Sequence, residues 1–211
     1  MSLARNCRIV AAAAALLIAA VGPLPAHDGP HDAASLGGVK GEMMMWISDA
    51  EGKLVELAEA TPDKKYTYRP TKGVRSQGEV FLHVAAANFG IPAMLGIKAP
   101  PAGFKFDGYE QSVTKKEDIT KALKDSFAHM KEGLAHLSDA DMDTPAELFG
   151  MKTTRRGAYM LLLSHAHEHL GQSIAYARSN GVVPPWTARE MQAAAAREKK
   201  ESDAAKPAST K

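Results

Sequence analysis

The chain has 211 residues with 26 Lys and Arg against 24 Asp and Glu, enough for one domain of ordinary size around a real core. If residues 1–26 are set apart as a signal segment, Arg5 and Arg8 leave the count and 24 bases face 24 acids. That balance gives no electrostatic case for nucleic acid or an anionic membrane. Cys7 is the one cysteine and lies in the same segment, so the remainder excludes disulfides, thiolate nucleophiles and thiolate metal ligands. A metal would have to be held by His, Asp or Glu.

The signal reading rests on Arg5 and Arg8, the apolar run Ile9 to Val21, and Leu24-Pro25-Ala26 as a cleavage-site pattern. Thirteen apolar residues fall short of the ~20 that a membrane helix needs, so a cleaved leader and a periplasmic or secreted protein are expected, with no membrane span after cleavage. Residues 27–34 then form a flexible leader. His27 and His31 are four apart in it, but Gly29 and Pro30 argue against a helix that would align them.

A first helix is predicted from about Ser35 to Ala60, with Met44, Ile47, Leu54, Val55, Leu57 and Ala58 on its apolar face and Met43 to Trp46 in the core. Thr61-Pro62 ends it. Ser76 and Glu79 have capping-box spacing and open a second helix through Phe89, in which His83 is the one histidine of an apolar segment. Residues 90 to 113, with Gly90, Pro92, Pro100-Pro101, Gly103 and Gly108, read as turns and a surface loop of the kind that borders a pocket. Thr114 and Glu117 repeat the capping spacing before a third helix to about Leu137, with Ile119, Leu123, Phe127, Met130 and Leu134 as its stripe. His129 and His136 lie beside that stripe and are expected to face solvent.

Asp139 to Lys152 reads as a polar connection. Thr153 or Thr154 caps a fourth helix, which stops at Arg178, Gly181 and Pro184-Pro185. The domain is thus placed at 35–186. A charged Ala/Lys/Glu-rich tail at 187–211 follows, helical near Ala193 and disordered from about Glu201. Four long helical patterns without a convincing strand predict an all-α four-helix bundle.

The chemistry concentrates in Ser164-His165-Ala166-His167-Glu168-His169-Leu170-Gly171-Gln172. His165 and His169 are one helical turn apart on one face, whereas His167 projects elsewhere. Two such imidazoles hold a divalent ion if a third ligand arrives from another helix, and bundle cores build sites in that way. His83 has the position for it. Three protein ligands plus water is the pattern of catalytic rather than structural zinc. Zinc is the first choice of ion, and nickel, iron or manganese would accept the same donors. Glu168 and Gln172 are near enough to orient an imidazole N–H, and Tyr176 is expected mainly to pack.

Three stretches together resemble the DinB/YfiT-like superfamily of damage-inducible four-helix bundles. They are Tyr68-Arg69-Pro70 through Val74-Arg75-Ser76 to His83, then Val84-Ala85-Ala86-Ala87-Asn88, and His165-x-x-Glu168-His169-x-Gly171-Gln172 with Tyr176, Arg178, Gly181 and Pro184-Pro185. The resemblance implies a divalent ion on one histidine of helix two and two of helix four, matching His83, His165 and His169. Thiol S-transferase-like chemistry follows from the resemblance and hydrolase-like chemistry on a small molecule from a three-histidine ion with an open position; the alternatives are a non-catalytic metal- or ligand-binding module and a metal-free structural bundle. The family includes enzymes that use low-molecular-weight cytosolic thiols, which an exported chain would rarely meet, while most members have no assigned reaction. Bundles of this family often pair, and a neutral surface does not oppose a homodimer.

Overall fold

Four long helices carry the buried apolar stripes, and their mutual packing makes the bundle. In the computed structural model, which describes residues 37–205, they are α1 (Gly38–Ala60), α2 (Gln77–Met94), α3 (Lys116–His136) and α5 (Arg155–Ser179). Between the last two lie a one-turn helix, α4 (Asp139–Met142), and a hairpin of β1 (Pro145–Leu148) and β2 (Met151–Thr154); α6 (Pro185–Ala205) follows. The signal segment, the leader with His27 and His31, and the last tail residues fall outside the described range. Helices α1 and α2 each pack on both α3 and α5, so α1 and α2 sit diagonally and the order around the bundle is α1, α3, α2, α5. No described helix is long and apolar enough to cross a membrane.

Side-chain periodicity explains the layers. On α3 the residues Ile119, Leu123, Phe127, Met130 and Leu134 fall at three-to-four spacing and are all buried in one core with Ile47, Leu54, Phe81, Leu82, Tyr159 and Leu162. Helix α2 is buried almost all round, from Gln77 to Pro92, because two helices and the 95–115 connection enclose it. On α1 the reading was partly displaced. Met43 and Ile47 are buried, but Trp46 is 49 % exposed, since it lies off the arc that Met43, Ile47, Ala50 and Leu54 define.

Caps set the ends. Ser76 Oγ accepts from the Glu79 amide at 3.2 Å and Glu79 Oε2 accepts from the Ser76 amide at 2.8 Å, closing the expected capping box of α2. Thr154 Oγ1 accepts from the Gly157 amide at 3.1 Å at the start of α5. At the other end of α5, Val182 donates to the Ala177 carbonyl at 2.8 Å and Gly181 to Arg178 at 3.0 Å, with Gly181 at φ 66°. This is a Schellman closure, and Pro185 then opens α6 at the position where a missing N–H is harmless.

Several expectations need correction. The Thr114–Glu117 box does not form: the N-cap of α3 is Lys115, one residue later, and it makes no side-chain cap. Helix α2 does not stop at Gly90 but runs through Pro92 to Met94, with Ile91 and Pro92 buried. Losing one late intrahelical bond to proline is outweighed there by packing. The polar connection contains α4, capped by Ser138 and Asp141, and the β1–β2 hairpin. Its two-residue turn, Phe149-Gly150, has φ 52° and 78°, the left-handed pair of a type I′ hairpin turn, which a phenylalanine does not advertise. Finally, α6 continues past Glu201 to Ala205; its alanines are the best helix formers and Arg189 pairs with Glu56 on α1.

Candidate metal centre

Packing of α2 against α5 brings His83, His165 and His169 together. One ligand-type nitrogen from each lies within 4.8 Å of the other two, and among the described residues these three form the group of His, Cys, Asp and Glu able to hold an ion. Ring centroids are 4.9 Å apart for His83 and His165, 4.6 Å for His83 and His169, and 4.4 Å for His165 and His169. The last spacing is the one-turn neighbourhood that four residues of α5 dictate. His169 is buried, while His83 and His165 are partly open.

Two of the imidazoles are oriented from behind. Glu110, in the single turn Tyr109–Gln111, accepts from His83 Nδ1 at 2.7 Å, and Arg75 clamps the same carboxylate through Nε at 2.7 Å and Nη2 at 2.9 Å. Gln172 Oε1 accepts from His169 Nδ1 at 2.7 Å, and its Nε2 donates to the Tyr176 hydroxyl at 3.0 Å. In both rings the Nδ1 proton is therefore engaged and the Nε2 lone pair is free, which is the tautomer a ligand needs. His165 differs. Its Nε2 faces His83 Nε2 at 3.1 Å and its Nδ1 is buried without a hydrogen-bond partner.

Electrostatics disfavours the charged forms of His83 and His165. Burial, then His169, His83 and the charge of Arg75, drive the His165 imidazole down to about 3. Burial also lowers His83, against the pull of its bond to Glu110. Burial pushes the Glu110 carboxyl up, but the hydrogen bonds from Arg75 and His83, with their charges, outweigh it and leave the group below its ordinary value. The 3.1 Å contact between the two Nε2 atoms is a hydrogen bond when neutral His165 carries its proton on Nε2; with the proton on Nδ1 the two lone pairs face each other. In the second tautomer the facing lone pairs suit a shared cation. Nitrogens gathered on one zinc at ~2.0–2.1 Å sit roughly 3.3 Å apart, near the 3.1 Å between the His83 and His165 Nε2 atoms and inside the 4.8 Å span of the set. The donors present fit a divalent ion.

The remaining candidates divide. Gln172 orients His169 as its spacing suggested. Glu168, expected to orient an imidazole, is exposed and bonds to neither ring, because the turn of α5 points it to solvent. Tyr176 packs edge-on against Tyr68 at 6.3 Å and also ends the His169–Gln172 chain. His167 donates to the Leu163 carbonyl on its own helix, and His136 likewise to Glu132 while remaining exposed. His129 is buried, not solvent-facing, and lies 5.3 Å from the Phe89 ring. Sequence reasoning missed Arg75 and Glu110 as partners of His83. The one signal for Glu110 was its place in a long connection suspected of bordering a pocket.

Comparison with known proteins follows the same lines. A crystal structure of a DinB-like protein from Bacillus cereus ATCC 10987 matches 71 % of this chain and 97 % of its own, with TM-score 0.61 and 20 % identity. A DinB-like protein, YjoA, from Bacillus subtilis matches 67 % and 93 % at TM-score 0.54 and 20 % identity. A conserved Enterococcus faecalis protein matches 66 % and 95 % at TM-score 0.52 and 14 % identity. At such identities the likeness is one of fold. No curated protein matches by sequence. The profile of the DinB superfamily matches residues 47–173, which contain all three convergent histidines, and the chain belongs to that superfamily.

Proposed function

We propose that this protein binds one divalent ion through His83, His165 and His169 and uses the centre for hydrolytic or group-transfer chemistry on a small molecule, zinc being the first choice of ion. The observation that carries the reading is the convergence of three imidazoles, two of them held by Glu110 and Gln172 with Nε2 turned to the centre of the set. An ion held by three imidazoles acts as a Lewis acid on an oxygen or sulfur donor of the substrate. The chain's own part is to fix ligand geometry. Arg75 and Glu110 hold His83, Gln172 and Tyr176 hold His169, and burial favours the neutral, binding form of His83 and His165.

The leader-like residues 1–26 extend the proposal to an exported protein, whose substrate is met outside the cytoplasm. The test is a screen of metal-loaded protein against small esters, amides and thiol conjugates. Ion-dependent turnover that disappears in His169→Ala supports an enzyme. Retained ion without turnover across the panel would assign the protein instead as a non-catalytic metal- or ligand-binding module.

A further inference from the structure

The three imidazoles are not supported equally. Behind His169 stands a neutral amide, and behind His165 no partner at all. Behind His83 stands a carboxylate that is itself gripped by two guanidinium nitrogens. The Glu110 side chain is only 22 % exposed and that of Arg75 39 %. Bidentate pairing fixes the carboxylate plane, and the carboxylate in turn fixes the imidazole tautomer and raises the donor strength of its far nitrogen. Arg75 lies just before the N-cap of α2, whereas Glu110 comes from the 95–115 connection. The same turn places Tyr109 against Phe89 and Phe104, so the connection is docked on α2 by aromatic packing on one side of Glu110 and by the ion pair on the other.

We propose that Arg75 and Glu110 are positioning residues that make His83 the anchor of the ion, and that ion binding and docking of the 95–115 connection are thereby one coupled event. This rests on the metal-binding reading above. Coupling of this kind is reciprocal: if a docked connection strengthens the ion, a bound ion strengthens the docking. Gln172, acting from within α5 itself, has no connection to recruit.

The experiment uses the full mature chain with Co²⁺ as probe, its affinity read by chelator competition and its d–d spectrum, and backbone hydrogen exchange followed over residues 104–113. Wild type should bind Co²⁺ and gain protection in that segment. Glu110→Ala should bind about 10–100-fold more weakly, the range for lost orienting partners, and the ion should no longer protect the segment. Glu110→Gln, isosteric and still an acceptor but uncharged, should fall between, which a mere packing role would not produce. Arg75→Gln should weaken binding less than Glu110→Ala. Gln172→Ala should weaken binding while leaving ion-induced protection of 104–113 in place. Co²⁺ affinity within about twofold of wild type in both Glu110 variants, with helical content intact, would overturn the inference while leaving the metal reading standing; failure of wild type to bind Co²⁺ would overturn both.

Discussion

Helix α2 presents a ring to each of two neighbours, and the two contacts differ. Toward α3, Phe89 meets His129, a buried imidazole whose Nε2 has no hydrogen-bond partner, and the seam is otherwise tied by an Asn88–Ser126 bond of 3.2 Å among apolar side chains. Toward α5, His83 meets two more imidazoles, with a carboxylate, a guanidinium, an amide and a phenol arranged behind them. A buried histidine alone is a core residue with an unmet bond. Three that converge, two of them with their outer nitrogens engaged, carry polar burial that contributes nothing to a fold that could have used leucine. The first seam is mainly apolar packing and the second a cluster of polar groups.

That contrast can be broken by mutation. Phe127→Ala on the buried α3 stripe should destabilise the protein by about 3–5 kcal/mol in denaturant unfolding, with or without added ion. A loss under 1 kcal/mol would mean the α3 face is not the stabilising one. The α5 seam should respond to acid instead. His165 has a folded-state value of about 3 against an ordinary 6.5, so the unfolded chain takes up the proton first. Its contribution is fully present above pH 6.5 and is lost as pH falls toward 3. Between pH 7 and 5, chelated protein should lose about 2 kcal/mol from this group, and His165→Leu should remove that part of the slope.

Smaller effects sharpen the same comparison. Ser76→Ala opens the capping box that starts α2 and should cost about 1 kcal/mol, measured as a shift in the urea midpoint. At neutral pH His165→Leu should leave the stability of chelated protein unchanged or slightly raised, because a buried Nδ1 without a partner is replaced by apolar volume. Clear destabilisation of the chelated form by that variant would give the α5 seam a structural role as well.

The sequence exposed the fold where spacing and burial coincide. The α3 stripe, the Ser76–Glu79 box and the stop at Arg178-Gly181 were all legible because each is a local pattern with a local cause. The α5 pair was legible for the same reason. The hairpin was not, since its turn places Phe149, rather than asparagine or glycine, at positive φ. His129 was misplaced because the enclosure of its helix edge comes from Phe89 on another element. Arg75 and Glu110 are 35 positions apart and meet only through the docking of a connection that has no periodicity to read.

The central claim is that His83, His165 and His169 hold one ion together. Elemental analysis of protein purified without chelators, beside His83→Ala, His165→Ala and His169→Ala, tests it most directly. The account predicts about one divalent ion per wild-type chain and a large loss in each variant, with helical content retained. Metal-free wild type that takes up no added zinc, or variants that keep the ion in full, would contradict it.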